Sequence, residues 1–156
     1  SGVATVVAQN IGAKNYERAN ETLKIGVTIM AAISICLTVL VLFTGEYLLT
    51  MFGLTRESVQ IGNSFFRAIA SCYIIYGLSM TLRGYLEGTG DMIFSGIAGF
   101  VSLIVRIVAS YMFAGRFGNM VVAYAEAFSW VVLLSLYIIR FLKIRRITAT
   151  NERNCA

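Results

Sequence analysis

Three charges stand inside long apolar stretches of this chain: Arg67, Arg106 and Glu126. A charged side chain at membrane depth is costly and faces a protein interior, an opposite charge or an aqueous cavity, so these three lead the candidates for a substrate path or an ion-coupling step. Counted from the nearer ends of their stretches, at Ser58, Ala114 and Asn119, each sits about seven to nine residues in, or roughly 10 to 14 Å at 1.5 Å per residue. That depth predicts one shared layer. Arg106 and Glu126 belong to consecutive stretches joined by Phe117-Gly118-Asn119, and antiparallel helices would bring them together. Such a pair is either a structural lock that offsets the cost of burying each charge, or a proton-linked switch in which Glu126 releases Arg106. Arg67 has no acidic partner in its own stretch, which is otherwise rich in polar groups: Gln60, Asn63, Ser64, Ser71, Tyr73, Tyr76 and Ser79. Asn63, Tyr73 and Tyr76 either line a path, with ring faces suited to organic cations, or bond between helices.

A second cluster, "LRGYLEGTGD" at residues 82 to 91, gathers Arg83, Glu87 and Asp91 with Gly84, Gly88 and Gly90. It fails as a nucleotide site. A dinucleotide fingerprint needs a third glycine where Ile93 stands, and no lysine follows to make a phosphate loop. As a turn it is well composed. Gly88 and Gly90 can take positive φ where a helix stops, Asp91 can cap the helix that restarts at Met92, and Gly84 with Gly88 permits close helix approach. Arg83 can reach lipid phosphates or pair with Glu87 or Asp91. The chain has no histidine, and its cysteines, Cys36, Cys72 and Cys155, are widely spaced. No metal site, cofactor site or catalytic constellation can be assembled from these residues, which speaks against an enzyme.

The elements that carry these groups follow from composition. At 58% hydrophobic, 13% charged and a mean hydropathy of +0.76, the chain is far too apolar for a soluble domain. An all-α, polytopic membrane bundle is expected. Four stretches reach the ~20 apolar residues that a spanning helix requires: about 25–45, 58–82, 92–115 and 117–139. Residues 1–12 are too short to cross and read as the last turns of a preceding helix, so the chain is expected to be part of a longer one. Residues 148–156 form a tail. Asn15 and Thr55 are placed to cap the helices that follow them, and the absence of proline rules out a proline kink as a gating device in these spans. Small residues, Ser95 with Gly99 and Ala123 with Ala127, fit close helix packing.

Basic residues set the orientation. Lys14, Arg18, Lys24, Arg83, Arg140, Lys143, Arg145, Arg146 and Arg153 fall on one side, and only Arg56 and Arg116 on the other. By the positive-inside rule, the opening connection, the 82–91 hairpin and the tail are cytoplasmic and the chain is a multi-pass protein of the plasma (inner) membrane. The net charge of +5 is spread over span ends rather than over an aromatic-interleaved patch, which argues against nucleic acid.

"VAQNIGAKNYERA", "LLTMFGLTRESV" and "LRGYLEGTGD", in that order and spacing, resemble the C-terminal part of the multidrug and toxic compound extrusion (MATE) family over residues 1–147. The resemblance implies a twelve-helix transporter of two lobes rocking about a central cavity, with these spans as helices nine to twelve and an N-terminal lobe as partner. It implies export of organic cations or other amphipathic compounds against protons or sodium. The coupling ion is not legible: acidic coupling residues occur in the family's first, seventh and tenth helices, and this tenth helix has no acid. A lipid-linked saccharide flippase, its pyrophosphate held by Arg67 and Arg106, and a four-span scaffold without substrate are the alternatives.

Overall fold

The computed structural model describes residues 2–154, with side chains described for residues 2–146. The chain runs α1 (Gly2–Gly12), α2 (Tyr16–Met51), α3 (Arg56–Ala70), α4 (Tyr73–Gly88), α5 (Met92–Phe117), a 3-10 turn (Gly118–Met120) and α6 (Val121–Asn154). There is no strand among the described residues.

α2 shows how grease becomes an outer wall. Its 36 residues span about 54 Å at 1.5 Å per residue, more than the roughly 30 Å of a hydrocarbon core. Few of them are buried: Ala19, Leu23, Gly26, Ser34 and Gly45 face the bundle, while Ile33, Ile35, Leu37, Val39, Leu40 and Leu42 are exposed. Cys36 is on that outward wall too. The Asn15 side chain caps α2 by accepting from the Arg18 amide at 3.1 Å, and Thr55 caps α3 by accepting from the Ser58 amide at 3.4 Å.

Two stretches are long and apolar enough to cross a membrane, Tyr16–Met51 and Met92–Arg146, and the bent pair α3–α4 makes a third. The second stretch is folded back on itself. Gly118 takes φ +52°, and contacts step outward from that turn in antiparallel register: Ser102 Oγ donates to the Ser129 carbonyl at 3.2 Å, and Tyr137 Oη to the Ser95 carbonyl at 3.3 Å. α5 and α6 are thus the arms of one hairpin. α6 begins at Val121, four residues later than the expected fourth span, because the turn itself consumes residues 118–120.

The expectation of one continuous second span is corrected. The helix breaks at Ser71–Cys72 and bends by 49°, without proline. Ser71 Oγ donates to the Ala68 carbonyl at 2.8 Å, and the Cys72 amide takes the Ile69 carbonyl at 2.8 Å, a three-residue step in place of four. Such back-bonding by a serine tightens and bends a helix. The Ala70 carbonyl at the bend receives Thr38 Oγ1 of α2 at 2.7 Å.

Three hydrophobic clusters hold the bundle. Val7, Ala19, Leu23 and Tyr85 join α1, α2 and α4; Leu86, Ala98, Leu133 and Tyr137 join α4, α5 and α6; Ile69, Ala123 and Trp130 join α3 to α6. Ser95 and Ala123 are buried as small-residue packing requires, whereas a Cβ on Gly99 would meet nothing within 4 Å, so Gly99 serves no close approach within this lobe.

Candidate functional site

At the hairpin end, the 82–91 motif is tied to its surroundings by charge and by close packing. α4 runs through Gly88, which stays helical; only Gly90 takes positive φ, +90°. That corrects the expectation of two left-handed glycines. Gly88 is required for another reason: a Cβ there would lie 2.7 Å from both the Ala4 carbonyl oxygen and Val7 Cβ, so α1 rests directly on its backbone. Gly84, one turn earlier, is buried as well. Arg83 Nε donates to Glu87 Oε1 at 2.7 Å, and Ser95 Oγ donates to the same oxygen at 3.1 Å, joining α4 to α5.

Asp91 does not cap α5 with its side chain. Its carboxylate is occupied by Arg140 of α6, Nε at 2.5 Å and Nη2 at 3.2 Å, a two-pronged, charge-assisted contact stronger than a cap bond. The Arg140 guanidinium also lies 5.0 Å over the Phe94 ring. This pair was within reach of the sequence. The outward count from the 117–119 turn that matches Arg106 with Glu126 also matches Asp91 with Arg140.

At the far end, Arg106 Nη2 and Glu126 Oε1 are 2.8 Å apart. Arg106 Nε is shielded from solvent and has no hydrogen-bond partner. A buried donor left unmade costs about 1–3 kcal/mol, so this pair is incompletely satisfied within the lobe, unlike those at the hairpin end.

Arg67 does not join that pair. Phe65, Ala68 and Ile69 of its helix pack toward Ala123 and Trp130, while Arg67 is exposed on another side of α3 and has no ion pair among the described residues. Along the same side run Gln60, Ser64 and Ser71, all exposed. The Ser64 and Ser71 hydroxyls bond only to carbonyls of their own helix, Gln60 at 3.0 Å and Ala68 at 2.8 Å. Asn63 belongs to a different contact: its Oδ1 would lie 3.7 Å from a Cβ on Gly45 of α2.

Tyr73 and Tyr76 flank Trp130, with ring centroids 6.3 and 5.0 Å from it. Trp130 is 7% exposed and Tyr76 39%, so the cluster has one ring in the core and one at its edge. Trp130 went unnoticed in the sequence because a tryptophan in a greasy span is ordinary; only the turn register places it opposite the two tyrosines.

This arrangement defines a membrane helix bundle with a broken span and charges at two depths. The MatE family model matches residues 1–112, and the chain belongs to that family of membrane transporters. Its fold is similar to a solved structure described as the inward-facing conformation of a multidrug resistance MATE family transporter of the MOP superfamily, with a TM-score of 0.82 at 22% identity over 88% of this chain. The chain spans 32% of that structure's length. Comparison with curated proteins gives no match.

Proposed function

We propose that the chain forms most of the second lobe of a secondary-active antiporter that exports organic cations or other amphipathic compounds in exchange for protons or sodium. In this reading α2, α3–α4, α5 and α6 are four spans of a plasma-membrane protein, with the 82–91 hairpin and the tail on the cytoplasmic side, and the remaining lobe completes the cavity. The observation that carries it is the exposed face Gln60–Ser64–Arg67–Ser71. In lipid a polar face at this depth is unfavourable, and it is accommodated where it borders water or protein. A face of that kind on a broken helix matches the way transporters build midplane sites.

Glu126 is the proposed coupling group. Protonation would free Arg106, whose orphaned Nε already leaves the pair short of full satisfaction. Proton- and sodium-driven dye efflux by the full-length protein in liposomes tests both the exchange and its ion. Glu126→Gln should abolish transport at normal membrane abundance; efflux at the unaltered rate would reduce the pair to a structural lock.

A further inference from the structure

α3 touches the described lobe on two sides. Gly62 and Asn63 lie against Leu49 and Gly45 of α2, with Phe66 beside Gly45, and Phe65, Ala68 and Ile69 lie toward α6. The remaining side carries Gln60, Ser64, Arg67 and Ser71 at steps of four, three and four residues, the spacing of a single helical row. No acid occurs between residues 58 and 86. The nearest acid on α3 is Glu57 in its first turn, about 15 Å of helix away from Arg67. On α6, Glu126 is bound to Arg106; at the hairpin end, Glu87 and Asp91 are bound to Arg83 and Arg140. The middle of the free face therefore presents one uncompensated guanidinium.

A lone guanidinium at this depth calls for an anion. A fixed carboxylate elsewhere in the polypeptide would satisfy it at a point, with no need of polar residues on either side. The polar row instead extends about 16 Å, from Gln60 to Ser71, which suits a group that travels past Arg67 rather than one that stays.

We propose that Arg67 binds the headgroup of an amphiphile bearing a carboxylate or phosphate, its planar fork taking two oxygens at once, so that the pathway face of this lobe selects anionic or zwitterionic cargo. This rests on the exporter reading and assigns the charge of its substrate.

The test is efflux by the full-length protein in liposomes, with carboxyfluorescein and a phosphate-bearing dye as anionic probes and ethidium as the cationic one. The expected result is export of at least one anionic probe, reduced about tenfold or more in Arg67→Gln, as loss of a charged hydrogen-bonding group implies. Ethidium efflux should change less than about twofold on the same scale. Arg67→Lys should retain part of the anion transport, because charge survives while the fork does not. Which anionic probe is carried separates carboxylate from phosphate. Wild-type export of ethidium alone would overturn the proposal and leave the exporter reading standing; export of no probe under either gradient would bring down both. An equal fall for all probes in Arg67→Gln would assign Arg67 to a fixed acid instead. Where that variant does not reach the membrane, protection of Ser71→Cys from thiol labelling by the anionic probe, but not by ethidium, reads the same binding; equal protection by both would contradict it.

Discussion

The two ends of this lobe treat charge in opposite ways. At the hairpin end, Arg83, Glu87, Ser95, Asp91 and Arg140 form closed contacts across three helices, and Gly88 lets α1 settle onto α4 with no room for a methyl group. At the other end, α3 shows a bare polar face, the span above the hairpin is bent at Ser71–Cys72, and Arg106 keeps one donor unpaired. Packed interiors and satisfied networks are rigid, whereas elements with few buried contacts and exposed polar groups are where proteins move. The lobe is thus built as a fixed base carrying a looser half, which is where a transport path belongs.

Substitutions at the base should therefore cost stability, and the effects should shrink toward the looser half and the helix caps. The largest is expected from Gly88→Ala. The added methyl meets a backbone oxygen that cannot swing away, so overpacking of about 1–3 kcal/mol should appear as a lower melting temperature in detergent; an unchanged melting point would mean that α1 is not seated on α4. Next comes Thr38→Val, which removes the hydroxyl bound to the Ala70 carbonyl. Loss of one such bond is worth about 1 kcal/mol, and the sharper readout is hydrogen exchange, which should quicken around residues 69–76 while residues 82–91 stay protected. Equal quickening at both ends would erase the distinction between them. The smallest is Asn15→Ala, where a lost cap costs about 1 kcal/mol or less at this exposed end, read as faster exchange confined to the first turn of α2.

Much of the base was legible because it follows local rules. Asn15 and Thr55 cap the helices that begin after them, and glycine at 118 turns the chain between α5 and α6. Counting outward from that turn locates Arg106 opposite Glu126. Three features were not legible, each for a physical reason. Gly88 is small because α1 lies on it, a contact distant in sequence. The break at Ser71 arises from side-chain back-bonding, which a serine in a span can make without bending anything. Asp91 has the residue type and position of a cap, yet a guanidinium offers it a stronger partner, and only the packing of α6 brings Arg140 there.

The contrast between the ends is tested most directly by single cysteines labelled with a membrane-impermeant thiol reagent in the intact transporter, after Cys36, Cys72 and Cys155 are changed to serine. Ser64→Cys and Ser71→Cys should react readily, while Ser95→Cys in the base and Ile35→Cys on the outer wall of α2 should not. Silence at both α3 positions, or labelling at Ser95→Cys as fast as at Ser71→Cys, would contradict the account.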